Sequence, residues 1–230
     1  IAYFLIALPL AMGTAWLGAN ARERRTPPAA TLPDETSRIA LLESLFSLQH
    51  RLEAGKTRCA FLSVDVVGSF EMKQGASDLT AEYSFGQFRL WVEGVVRDCG
   101  GELQSAAGDG IMCLFRTDSG ALRAARRLQE GLARFNAEQN RLQHPFRIRC
   151  GVNAGPVALE AGMPLGYLHS PVIDRAAALQ KRAEPGDILV SEEVAPAALM
   201  ELGSLARLPE AVAGGTVFSW RAGQGITPAL

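Results

Sequence analysis

The chain has 230 residues, 48% of them apolar and 20% charged, and its 23 lysines and arginines nearly cancel its 24 aspartates and glutamates. That is the composition of a globular domain with some additional sequence, able to bury a full core, and it excludes a disordered chain or one that binds nucleic acid through a basic footprint. The four cysteines, Cys59, Cys99, Cys113 and Cys150, stand in or beside apolar segments. They have neither the paired spacing of a zinc site nor the density of a disulfide framework, and read as reduced core thiols.

The first 18 residues, IAYFLIALPLAMGTAWLG, carry no charge, and at about 1.5 Å per residue they just span a bilayer. The arginine cluster ANARERR follows, and the positive-inside rule then predicts a transmembrane helix over residues 1–20, in the inner or cytoplasmic membrane, with the rest of the chain in the cytoplasm. The competing reading is a signal peptide, but no basic region precedes the apolar stretch and no cleavage context follows it. The chain does not begin with Met, which predicts a longer protein with sequence upstream.

Residues 21–33 read as a linker, with prolines and small residues that fit no regular element. A helix is predicted over 34–55: Asp34 to Ser37 offer N-cap side chains, Leu41, Leu45, Leu48 and Leu52 recur at spacings of four, three and four, and Gly55 stops it. This is either a signalling and dimerisation seam for a parallel partner helix or a helix lying on its own domain.

From Cys59 the pattern alternates. A strand over 59–67 leads through Gly68-Ser69 to a helix over about 78–98, and ELQSAAGDGIMCLF reads as two strands around an Asp-Gly turn. A helix over about 118–140, the strand FRIRCGVNAG, an irregular stretch, a helix over about 171–183, the strand DILVS, a short helix and the strand TVFSW complete the domain, with 223–230 as a tail. Strand, helix, hairpin, helix, strand is the ferredoxin-like order, an α+β fold whose antiparallel-rich sheet carries its helices on one face.

Asp65 is the one acid in FLSVDVVGSF, a run that reads as a strand buried on both faces. A buried carboxylate without a partner costs several kcal/mol. Asp65 ends its strand before a Gly-Ser turn whose free N–H groups can receive a phosphate. Asp109 sits at the tip of AAGDGI, and adjacent strands would bring the two acids together. Two carboxylates in one place repel unless a cation lies between them, and a hard divalent ion completed by substrate phosphates answers both problems.

The segments FLSVDVVGS, GGELQSAAGDGIMCLF, IRCGVNAG and PVIDRAAALQKRAEPGDILVS, in this order and spacing, resemble the class III nucleotide cyclase catalytic domain over residues 57–222. The resemblance implies a ferredoxin-like domain that pairs head to tail, as a homodimer or a heterodimer with another cyclase domain. It also implies composite sites converting ATP or GTP to a cyclic nucleotide and pyrophosphate, with ATP to cAMP as the first assignment. Mg²⁺ or Mn²⁺ is the implied cofactor, in a two-metal site. Asp65 and Asp109 match the metal-binding aspartates and the backbone carbonyl of Val66 the third protein ligand. Val67, Gly68, Ser69 and Phe70 match the phosphate-cradling turn, with Phe70 in place of Ser or Thr, and Arg149 matches an arginine that meets the phosphates.

The other half departs from the family. Ser105 stands where adenylyl cyclases carry a purine-reading lysine, and Tyr167 falls where its acidic partner belongs. Asp174 aligns with the transition-state asparagine and Ala178 with the transition-state arginine. The only lysines are Lys56, Lys73 and Lys181, none near the C-terminal strand where the family binds phosphate. Each lost donor to a transition-state charge costs about 10² to 10³ in rate. Three readings follow: a domain weak or inactive as a homodimer that can complement an intact partner, an atypical enzyme using Ser105, Tyr167, Asp174 and His169, or a non-catalytic nucleotide-binding or dimerisation module.

Overall fold

The computed structural model describes residues 35–159 and 170–222. Two compact units divide the chain, residues 1–47 and 48–230. Of the first unit, only the start of helix α1 (Glu35–Ala54) is described. Leu41, Leu45, Leu48 and Leu52 are all exposed along α1, and so are Ile39, Leu42 and Phe46. At 100° per residue these two sets form stripes about 120° apart, so the apolar surface is broader than a single seam.

The location expected from the sequence is corrected. No helix among the described residues is long and apolar enough to cross a membrane. Helix α1 has 20 residues but carries Arg38, Glu43, Arg51 and Glu53. The membrane placement thus rests on no helix among the described residues; residues 1–20, where the transmembrane helix was expected, the linker 21–33 and the tail 223–230 lie outside them.

The second unit runs β1 (Thr57–Val66), α2 (Ser69–Gln74), α3 (Asp78–Asp98), β2 (Gly101–Ala107), β3 (Gly110–Phe115), α4 (Asp118–Glu138), β4 (Ile148–Val157), α5 (Pro171–Arg182), β5 (Asp187–Ser191), α6 (Ala195–Leu202), β6 (Ala206–Arg207) and β7 (Val217–Arg221). Its seven-stranded sheet has the order β2-β3-β1-β4-β5-β7-β6. The first four strands reproduce the ferredoxin-like order, and β5, β7 and β6 extend the sheet beyond β4. Both long helices start on hydroxyl caps that take up an orphan N–H: Ser77 accepts from Thr80 N, and Thr117 from Gly120 N, each at 3.2 Å.

Strand β1 is buried on both faces because its alternating side chains feed two cores. Ala60, Leu62, Val64 and Val66 join a large core with Phe88, Val92 and Val96 of α3 and Leu122, Ala125 and Leu128 of α4. Aromatic rings knit that layer: Phe88 stacks on Phe146 at 5.0 Å, and Trp91 on Phe135 at 5.0 Å. Cys59 and Phe61 point the other way, into a second core with Ala176 of α5. The expectation of helices on one face is thus corrected, since α5 covers the opposite face.

Two strand glycines let it do so. A Cβ on Gly151 would overlap the backbone of α5 at Ala176 and Gln180, and one on Gly155 would press on Val172. The four cysteines are free and buried. Burial pushes the Cys113 thiol up to about 12 and raises that of Cys150 as well, so both stay protonated.

This packing predicts opposite signs for two glycine-to-alanine changes in urea unfolding. Gly151→Ala should destabilise by about 1–3 kcal/mol, because α5 must move to admit the methyl group. Gly94→Ala, in α3 with open space around its Cβ, should stabilise by about 0.5–1 kcal/mol through helix propensity. A neutral Gly151→Ala would refute the close approach of α5.

Candidate functional site

Three adjacent strands, β3, β1 and β4, build the candidate site at one end of the sheet. Antiparallel pairing sets Asp65 of β1 directly opposite Arg149 of β4. Arg149 Nε and Nη2 both reach Asp65 Oδ2, at 2.9 and 2.7 Å. Arg149 Nη1 donates to the Lys181 carbonyl in the last turn of α5 at 3.1 Å. The carboxylate that looked unpartnered in the sequence therefore faces a guanidinium held from two sides.

On the other side of β1, the ladder with β3 ends at Val64 opposite Ile111. Asp65 lies one residue past that pair and Asp109 two residues before it, so register brings the two acids to the same end of neighbouring strands. The hairpin turn differs from expectation. Its last pair is Ala107 with Gly110, and Gly108 carries the positive φ of 65°, which makes Gly108-Asp109 the two-residue loop in place of Asp-Gly. Asp109 is partly exposed there.

Backbone direction completes the arrangement. Val67 N donates to the Arg147 carbonyl at 2.8 Å, so Val67 faces β4. Alternation along the strand then turns the Val66 carbonyl to the β3 side, where Asp109 stands. Gly68, at φ 72°, caps the short α2, and Met72 N makes that helix's first bond, to the Gly68 carbonyl at 3.0 Å. The N–H groups of Gly68, Ser69 and Phe70 precede that bond and have no partner within the helix. The N–H of Val67 is already committed to β4. Phe70 is 68% exposed, and a cleft of about 490 Å³ runs along Val67, Gly68, Glu71 and Met72 to His144 and Arg147.

The donors suit a hard cation in part. Two carboxylates and a backbone carbonyl are oxygen ligands of the kind Mg²⁺ takes when substrate phosphates fill the remaining positions. Among the described residues no cluster of three or more His, Cys, Asp or Glu side chains could hold a metal by itself.

The remaining expected positions stand elsewhere. Ser105 is exposed on β2 opposite Met112, just past a bulge at Gln104. Tyr167 and His169 lie outside the described residues. Asp174 is exposed in the first turn of α5, and Ala178 is half-buried one turn later. Helix α5 runs beside β4, held by Asn153 Nδ2 on the Val172 carbonyl at 2.8 Å near its start and by Arg149 at its end. Asp174 thus lies about 10 Å of helix axis from Lys181, and the chain does not bring it to Asp65.

One charged residue escaped the sequence reading. Arg175, beside Asp174, has a side chain only 15% exposed. Its Nη1 donates to Glu193 Oε1 at 2.6 Å, while its Nε and Nη2 are buried without a hydrogen-bond partner among the described residues. The available signal was its place three residues after Val172, on the apolar stripe that continues through Ala176 and Leu179.

Solved structures share this fold. The adenylyl cyclase CyaB from P. aeruginosa matches with a TM-score of 0.64 at 15% identity, covering 71% of this chain and 93% of that one. The guanylate cyclase domain of RhGC from Catenaria anguillulae, in complex with GTP, matches at 0.59 and 17%, covering 71% and 94%. An adenylate/guanylate cyclase/hydrolase from Silicibacter pomeroyi matches at 0.59 and 23%, covering 72% and 97%. No protein-family model and no curated protein sequence matches the chain. The second unit therefore has the fold of nucleotide cyclase catalytic domains.

The Asp65 to Arg149 pair is only 20% and 30% exposed at its two side chains, which sets its strength between a surface and a buried ion pair. A double-mutant cycle of Asp65→Asn and Arg149→Gln, read by urea unfolding of the ligand-free chain, should give a coupling of about 1–2 kcal/mol. A coupling near zero would mean that the pair does not persist in solution.

Proposed function

We propose that residues 57–222 form a nucleotide cyclase domain of cyclic-nucleotide signalling that keeps the metal and phosphate half of its site. The observation that carries this reading is that Asp65, Arg149 and the hairpin loop holding Asp109 lie at the same end of three adjacent strands. In this reading Asp65, Asp109 and the Val66 carbonyl hold Mg²⁺ or Mn²⁺. The cation supplies Lewis-acid charge stabilisation to a triphosphate. The turn at Gly68, Ser69 and Phe70 offers N–H groups to the phosphates and Val67 shapes the approach, while Arg149 neutralises phosphate charge.

The substituted half limits what one kind of chain achieves alone. Asp174 puts a carboxylate where an amide would donate to the ribose and phosphates, and Ala178 offers no guanidinium for the transition state. Ser105 and Tyr167 cannot make the hydrogen bonds that reject the wrong purine in the usual way. A symmetric homodimer repeats both losses, so it is weak or inactive. A partner carrying the missing residues would complete one working site with Asp65, Asp109 and Arg149 from this chain. The exposed leucines of α1 are the proposed signalling and dimerisation seam. ATP to cAMP is the first reaction to test, with GTP as the alternative substrate. A second reading, a non-catalytic module that binds nucleotide or dimerises without turnover, is favoured by Ala178.

Assays with Mn²⁺ and ATP or GTP separate these readings. The domain alone should turn over at least about 10²-fold below an intact cyclase. Mixing it with a cyclase domain whose own metal aspartates are replaced should restore product, and Asp65→Ala or Asp109→Ala in this chain should abolish that rescue. Metal-dependent nucleotide binding by calorimetry without rescue by any partner would assign the module role instead.

A further inference from the structure

Arg149 donates from Nε to Asp65 Oδ2 and from Nη1 to the Lys181 carbonyl, and its Nη2 lies in ion-pair contact with the same Asp65 oxygen at 2.7 Å. That carbonyl lies in the last turn of α5 (Pro171–Arg182), at the negative end of the helix dipole. The guanidinium is thus parked between a full and a partial negative charge. One oxygen of the proposed metal-binding carboxylate is occupied in the ligand-free chain, and a cation arriving at Asp65 must bind beside a fixed positive charge. The pair is nevertheless open enough to reach from solvent, with 20% of the Asp65 side chain and 30% of the Arg149 side chain exposed.

Resting on the reading that Asp65 and Asp109 hold a divalent cation, we propose that the Asp65 to Arg149 pair is a latch that couples metal binding to phosphate binding. Phosphates that draw the guanidinium away free Asp65 Oδ2 for the cation. A cation at Asp65 in turn weakens the hold on Arg149 and releases its donors to the phosphates. The coupling is reciprocal by thermodynamic necessity. Either ligand alone meets a closed latch, and the two together open it, which favours occupancy by the metal–nucleotide complex over idle metal.

The test uses the full chain and Mn²⁺ alone, with free Mn²⁺ counted by its electron paramagnetic resonance signal and folding checked by circular dichroism. Arg149→Gln should bind Mn²⁺ at least about fivefold more tightly than the wild type, the lower end of typical coupling. In EDTA, where the latch stays closed, the same variant should bind ATP or GTP about as well as the wild type, and with Mn²⁺ present it should bind them at least about fivefold more weakly. Arg149→Lys keeps the charge but lacks the planar fork that meets Asp65 and the Lys181 carbonyl at once. Its Mn²⁺ affinity should fall between the two, and it carries the comparison if Arg149→Gln does not fold. Equal Mn²⁺ affinity in the wild type and the folded variants would overturn the latch and leave the metal site standing. No Mn²⁺ binding, or binding that Asp65→Asn and Asp109→Asn leave unchanged, would overturn the metal site and the latch with it.

Discussion

The pairing of β1 with antiparallel neighbours on both sides is the constraint from which the rest of this domain follows. With β3 and β4 running opposite to it, the C-terminal end of β1 lies beside the start of each, so one strand end meets a hairpin tip on one side and Arg149 on the other. The same centrality buries both faces of the strand, and two separate cores pin it against sliding. A shift of one residue would exchange Phe61 with Leu62 between cores and move Asp65 off Arg149 together. Position of the acid and integrity of the core are therefore one requirement.

Much of this was legible in the sequence because it is local. Apolar runs bounded by glycine turns mark β1, β3 and β5. The ferredoxin-like order follows from the succession of elements. The face on which α5 packs was not legible: Gly151 and Gly155 read locally as weak points in a strand, and only a helix pressed against them explains the missing side chains. The hairpin loop moved by one residue because both Gly108 and Gly110 flank Asp109, and which glycine takes the positive φ is decided by strand register.

The candidate site was legible as a set of residues and not as a set of contacts. Asp65, Asp109 and Arg149 were each visible as candidates, yet that Asp65 and Arg149 face each other depends on the pairing of strands 84 positions apart in sequence. Arg175 was hidden for the opposite reason, since a charged residue on an apolar stripe looks like an interruption until Glu193 is seen to meet it. The substituted positions do not all lie together. Asp174 and Ala178 belong to α5, away from the hairpin and turn that gather the acids, whereas Ser105 shares the β2–β3 hairpin with Asp109.

The bulge at Gln104 has a consequence for how two such chains can meet. It sits in β2, one margin of the sheet, and the opposite margin is β6, only two residues long. A kinked border on one side and a truncated border on the other discourage a second molecule from adding its strands to this sheet. These two borders thus leave helix surfaces and strand tips, and not a continuous intermolecular sheet, as the faces open to a second chain.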